Sequence, residues 1–312
     1  MGNITDHIST KERRRLFVRL TENLPPLRLT ARDVRILELA YEYRFFTAAH
    51  VRALIGGSKR NLTERLSRMY HHGYLDRPKQ QLTLRLFGYR DIIYALARPG
   101  ARVLARYRQD NRYLKPRWTE NNNAVKAPQF LHTLMISDFR ACLTLACRSR
   151  PDLSLAAWDT PATSLAKYRI DRREVWVKPD AHFVLALQRD GVEHRAHFFL
   201  ECDRGTMTYA NFRRKLAAYW SMRRNRMLVS GSIPRAYRVL TVGPSPARTR
   251  RLMRAAVDAD PRRAGSLMFY FCSQTDYDLN QPNRILAPIW RSPADTRFHS
   301  LLEGKGGENV PR

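Results

Sequence analysis

Apolar residues first settle into a helical rhythm at Val34, Leu37 and Tyr41, directly behind Thr30. Thr30 is placed to cap a helix running to about Arg44, with Asp33 completing a capping box. Thr47 likewise opens a short helix carrying Val51, Leu54 and Ile55, which the pair Gly56-Gly57 stops. A third helix, from Ser58 to His72, buries Leu62, Leu66 and Met69 and turns Arg60, Thr63, Glu64, Ser67, Arg68 and His71 outward. Gly73 ends it. The segments LTLRLFG (82–88) and YRDIIYALA (89–97) then read as two strands around a turn near Gly88 to Asp91, with Arg85 and Arg90 near its tip. Pro99 marks the start of a closing helix.

Three helices, a hairpin and a helix resemble a winged helix-turn-helix domain, which places residues 26–112 in a DNA-binding unit. The basic outer face of the third helix, with Arg60, Thr63, Ser67 and Arg68, suits a DNA groove, and Arg85 and Arg90 suit a wing contact. Residues 1–25, with KERRR at 11–15, read as a mobile basic arm, and the polar stretch 113–128 as a linker. A second unit, 129–292, opens with a helix from Gln129 to Arg148 and a strand near Leu153 to Trp158. A hairpin, a helix, a strand at Ala236 to Val242, a helix at Pro246 to Asp258 and a strand at Leu267 to Phe271 follow. Residues 280–292 form a peripheral loop or edge strand, and 293–312 a flexible tail.

The hairpin at 178–203 carries the candidate chemistry. Asp190-Gly191 is a favoured two-residue loop, because type I′ geometry needs positive φ at both central positions. It sets Arg189 opposite Val192 and, stepping outward, Asp180 opposite Glu201 and Lys178 opposite Asp203. With side chains alternating at period two, those four residues share one face. Three carboxylates so close raise one another's pKa unless a cation sits among them, so the cluster invites a metal ion. Without one, Asp180 pairs with Lys178 and Asp203 with Arg204. Apolar residues on both faces, Phe183, Leu185 and Leu200 against Val184 and Phe199, call for a sheet covered on both sides.

Charge narrows the partner. The 56 Lys and Arg residues against 28 Asp and Glu give a net charge of +28, spread over both halves of the 312-residue chain. Such self-repulsion points to a polyanion, double-stranded DNA. No apolar run approaches the roughly 18 residues of a transmembrane helix, and no basic amphipathic anchor offers a membrane surface. The N-terminus lacks the apolar core of a signal peptide. Cys142, Cys147, Cys202 and Cys272 lack zinc-site spacing, and the three that sit in apolar runs read as buried, reduced thiols, which fits the cytoplasm. There is no Walker loop, no nucleophile elbow and no His-hydrophobe-His motif of a tyrosine relaxase.

Pro179-Asp180, then Glu201 in the next strand, then a flanking helix resemble the PD-(D/E)XK nuclease fold. The fold class expected is thus α/β (α+β), a winged helix-turn-helix followed by a mixed-sheet nuclease-like domain. The resemblance implies that Asp180 and Glu201 hold Mg²⁺ or Mn²⁺ and that a lysine assists attack of water on a phosphodiester. Where that family has Glu-X-Lys, this chain has Glu201-Cys202-Asp203, an acid at the lysine position. Lys215 on the next helix is the preferred replacement, with Lys178 as the second candidate. The segments LHTLMISDFR, KPDAHFVL and FFLECDRGTMTYANFRRKLAAYW, behind a winged helix, resemble the replication-relaxation family of plasmid and mobile-element proteins. That resemblance implies a role in plasmid replication or mobilisation, either nicking DNA or binding it without catalysis as a replication accessory or transcriptional regulator. It leaves open a homodimer or a contact with replication and mobilisation proteins.

Overall fold

In the computed structural model, which describes residues 16–20, 22–86, 88–160, 177–224 and 236–303, Thr30 caps the first helix, α1 (Ala31–Tyr43). The KERRR run, the loop at Pro161 and the end of the tail lie outside the described residues. The capping box is complete: Thr30 N donates to Asp33 Oδ2 at 2.7 Å, and Asp33 N donates back to Thr30 Oγ1 at 3.4 Å. Helix α2 (Ala48–Ile55) begins on Thr47, whose backbone N donates to His50 Nδ1 at 3.2 Å, a histidine standing where a capping box usually has Glu or Gln. Gly56 and Gly57, with φ of 86° and 110°, end it. Ser58 Oγ accepts from Asn61 N to start α3 (Lys59–His71), whose Leu62, Leu66 and Met69 are buried.

The expected wing is different. Strand β1 (Leu75–Asp76) pairs antiparallel with β2 (Ala95–Leu96), and most of LTLRLFG is helix, α4 (Leu82–Leu86). The reason lies in the backbone groups that a first wing strand would have satisfied. Gln81 bonds Ile93 on both sides with its side-chain amide, accepting from N at 2.8 Å and donating to O at 2.9 Å. Phe46 bonds Tyr94 in the same reciprocal way. With those groups paired, Leu84 turns into an apolar cluster with Phe45, Ile93, Val125, Phe130 and Leu134.

Helix α5 (Arg98–Arg108) carries Pro99 in its first turn. The stretch 113–128 contains α6 (Trp118–Asn123), and Asn122 Nδ2 donates to Asp76 Oδ2 at 3.1 Å and to Leu96 O at 2.8 Å. Helix α7 (Ala127–Arg148) is long and apolar enough, by length and composition alone, to cross a membrane, which corrects the reading that no run comes close. Its Phe130, Leu134, Phe139, Cys142, Leu143 and Ala146 are buried in the protein's own interior.

By its contacts the chain divides into two units, Met1–Ser137 and Asp138–Arg312. The second is built on a seven-stranded mixed sheet in chain order: β3 (Leu153–Asp159), β4 (Ala181–Arg189), β5 (Val192–Cys202), β6 (Arg238–Gly243), β7 (Phe269–Ser273), β8 (Trp290–Arg291) and β9 (Phe298–His299). Strands β5, β6 and β7 run parallel to one another and the other pairings are antiparallel. On one face α8 (Tyr209–Arg224) and α9 (Pro246–Ala259) bury Phe212, Leu216, Tyr219 and Leu252 against Phe199 and Val239. On the other, Phe139 meets Phe183 and Trp290 with ring centroids 5.7 and 6.3 Å apart. The sheet is covered on both sides, as its apolar alternation requires.

Candidate functional site

Asp190 and Gly191 take φ of 53° and 74°, and the β4–β5 ladder runs unslipped from Arg189↔Val192 to Ala181↔Leu200. One step further out, Asp180 N donates to Leu200 O at 2.9 Å and Asp180 Oδ2 accepts from Cys202 N at 2.8 Å. Asp180 therefore stands beside Glu201 at the end of β5, where that strand is bound on its other side by β6 through Glu201↔Thr241. Glu201 is only 3% exposed.

Helix α8 closes over this carboxylate. Lys215 Nζ donates to Glu201 Oε2, and Tyr219 Oη donates to Oε1 at 2.6 Å. The two donors are four residues apart, so they lie on one helix face. Tyr237 Oη in turn donates to the backbone O of Tyr219 and fixes that turn of the helix. Burial pushes the Glu201 carboxyl up to about 7, with Lys215 pulling it down and Asp180 pushing it further up. For Lys215 burial works against the charged form, but the carboxylates of Glu201 and Asp180 outweigh it and raise its pKa. The ammonium is the cluster's own cation.

Asp203 is occupied differently. Arg248 of α9 donates Nε to Oδ2 at 2.7 Å and Nη2 to Oδ1 at 3.1 Å, and Gly205 N donates to Oδ2 at 3.0 Å. Arg248 also donates to Met207 O at 2.6 Å, so it ties the loop after β5 to α9. The expected partner of Asp203 was Arg204 or a metal. Arg248 takes the carboxylate instead, because the first turn of α9 delivers a guanidinium in bidentate geometry. Lys178 is exposed. Tyr219 and Arg248 were missed in the sequence. Tyr219 reads as one more core aromatic, its only signal being the four-residue spacing from Lys215, and Arg248 had none.

On α3, Arg60 and Thr63 are exposed and Ser67 and Arg68 half-buried along one face. Thr63 Oγ1 donates back to Lys59 O at 2.8 Å, and Arg68 Nη2 donates to Pro26 O at 2.9 Å. The described residues that precede α1 lie against this helix. Phe17 is buried, and Arg19 reaches Tyr70 O at 2.9 Å, Leu75 O at 2.8 Å and Asp76 Oδ1 at 2.7 Å. Arg85 does not join the basic face: it is buried in α4 and donates to the backbone O of Arg90 at 2.8 Å, while Arg90 itself is exposed.

A family model described as replication-relaxation matches residues 37–235. The chain belongs to the replication-relaxation family. No curated protein and no solved structure gives a match. Family membership points to a role in plasmid or mobile-element replication. The matched span takes in α2, α3 and the Asp180–Glu201–Lys215 cluster of this replication-relaxation protein, but stops short of Arg248.

The donor set of the replication-relaxation chain does not fit the expected Mg²⁺ or Mn²⁺ ion. Both oxygens of Glu201 are engaged by Lys215 and Tyr219, and both oxygens of Asp203 by Arg248. A cation bound at about 2.1 Å from Glu201 would lie against the Lys215 ammonium. Among the described residues no group of three or more His, Cys, Asp or Glu side chains is arranged to hold a metal. The four cysteines are free and buried, and burial raises the Cys142 thiol to about 12 and the Cys147 thiol to about 11.

Proposed function

We propose that this replication-relaxation protein binds double-stranded DNA during replication of a plasmid or mobile element, with its nuclease-like sheet serving as a platform that does not cut. The observation that carries this reading is electrostatic: Glu201, one of the two carboxylates a nuclease would spend on metal, is neutralised from within by Lys215, and Asp203, at the nuclease lysine position, by Arg248. The net charge of +28 is then left for an external polyanion. Lysine and arginine contacts to phosphate release counterions, and the exposed face of α3 offers Arg60 and Thr63 to a groove.

A second reading, strand nicking, draws support from one observation, the arrival of Lys215 at Glu201 from the helix after the hairpin. One assay separates the two. Supercoiled plasmid is incubated with the native chain and Mg²⁺ or Mn²⁺, beside Asp180→Ala, Glu201→Ala and Lys215→Ala. The platform reading expects retarded but intact supercoils with all four proteins. Metal-dependent nicking by the native chain that the three substitutions abolish would overturn it.

A further inference from the structure

Between the first turn of α9 and the edge formed by β7, β8 and β9 lies a cavity of about 310 Å³ that none of the Glu201 cluster lines. Three arginines, Arg250, Arg284 and Arg291, line it together with one carboxylate, that of Asp276. Asp276 is already employed, its Oδ2 accepting from Ser273 N at 2.7 Å in a capping box. Elsewhere in the chain Arg65, Arg150 and Arg248 are each clamped on an aspartate. Among the described residues no carboxylate does this for the three arginines of the cavity.

The walls are firmly built. Thr249 Oγ1 donates to Ser245 O at 2.9 Å and to Cys272 O at 3.3 Å, which seats the first turn of α9 on β7. The seat is close enough that a Cβ on Gly243 would stand 2.6 Å from Thr249 Oγ1. Phe271, Arg291 and Phe298 form one cross-strand row, so their side chains share a face. The Arg291 guanidinium lies 4.7 Å from the centroid of the Phe298 ring, and that ring is 50% exposed.

Guanidinium groups without a carboxylate partner match the oxygens of a phosphate. An exposed aromatic ring beside them offers a stacking surface for a planar ring. Bare phosphate would use the arginines and leave Phe298 uncovered; a nucleoside would do the reverse. The volume lies at the lower end of small-ligand pockets. We propose that this cavity binds a nucleoside phosphate, with its phosphate among Arg250, Arg284 and Arg291 and its base on Phe298. The ligand is either a free mononucleotide or the 5′-terminal nucleotide of a DNA strand, and the site depends neither on α3 nor on the platform reading.

The test is calorimetric titration of the full chain at moderate salt with dAMP, deoxyadenosine and inorganic phosphate, and with one oligonucleotide carrying either a 5′-phosphate or a 5′-hydroxyl. Tighter binding of dAMP than of deoxyadenosine or phosphate is expected. Arg284→Ala and Arg291→Ala should each weaken dAMP by about tenfold or more. Phe298→Ala should weaken dAMP and leave phosphate unchanged, and Arg213→Ala, outside the cavity, should do neither. A preference for the 5′-phosphorylated oligonucleotide over dAMP assigns the site to strand ends, and the opposite order to free nucleotide. No saturable binding of any probe, equal affinity for phosphate and dAMP, or indifference to the three cavity substitutions would overturn the proposal. Arg60→Ala, which should weaken duplex DNA alone, keeps this result separate from the test of α3. All three cavity side chains are solvent-exposed, and thermal melts of each variant verify folding.

Discussion

At the residue scale Glu201 is where burial and charge compete. Its carboxyl sits at about 7 in the folded chain against an ordinary value of 4.5. Between those values the folded state holds a proton that the unfolded state has released, so this group makes stability fall as pH rises from 4.5 to about 7. The slope is about 1.4 kcal/mol per pH unit. Lys215 does not enter this window, because its raised pKa acts only above its ordinary 10.5. Urea denaturation of the native chain and Glu201→Gln at pH 5 and pH 8 should therefore show a stability difference that changes with pH. A constant difference would mean that Glu201 is ionised throughout. Lys215→Ala should cost roughly 3–5 kcal/mol at pH 8, where it leaves a buried carboxylate without its cation, and clearly less at pH 5. The pairing of Lys215 with Glu201 could be anticipated, because the helix after a strand returns across it. The clamp on Asp203 could not, since Arg248 is 45 residues away and nothing in the spacing marks it.

At the scale of elements, two adjacent residues did most to organise the second unit. Asp190-Gly191 was enough to align β4 with β5 along its whole length, since a two-residue loop admits one register and a slip by one would reverse every side chain. Gly191→Val places a β-branched residue at a φ of 74° and should destabilise the fold by about 2 kcal/mol or more, read as a lowered urea midpoint. A loss under about 0.5 kcal/mol would show that the loop tolerates another turn type. The wing shows the opposite case. Alternation suggested a strand at 82–88, but the ladder positions it would fill are held by the Gln81 side chain and by Phe46, which lies well before it in the chain. A competing partner far away in sequence leaves no local signal.

For the whole molecule, the charge of +28 makes the proposed duplex binding a matter of counterion release. Fluorescence anisotropy with a labelled duplex over a salt series should give log affinity falling linearly with log salt. Arg60→Ala should weaken duplex binding and lessen that slope. An unchanged slope would remove the α3 face from the interface. Arg85→Ala should act on stability instead, because that side chain is buried and bonded to the backbone of Arg90.

Features with local causes could be read directly from the amino acids. The caps at Thr30, Thr47 and Ser58, the glycine stops at 56, 57 and 73, the I′ loop and the two-sided apolar pattern of the sheet each depend on residues a few positions apart. The net charge could be read as directly, since it is a sum and needs no fold. Whether the acidic cluster faces a metal or the protein's own cations is another kind of question. It turned on how two helices cross one sheet face, bringing Lys215 and Tyr219 to Glu201 and Arg248 to Asp203. The cavity of Arg250, Arg284 and Arg291 likewise exists only because a helix start and a sheet edge meet. Periodicity tells each side chain which way to face; packing alone chooses what it faces.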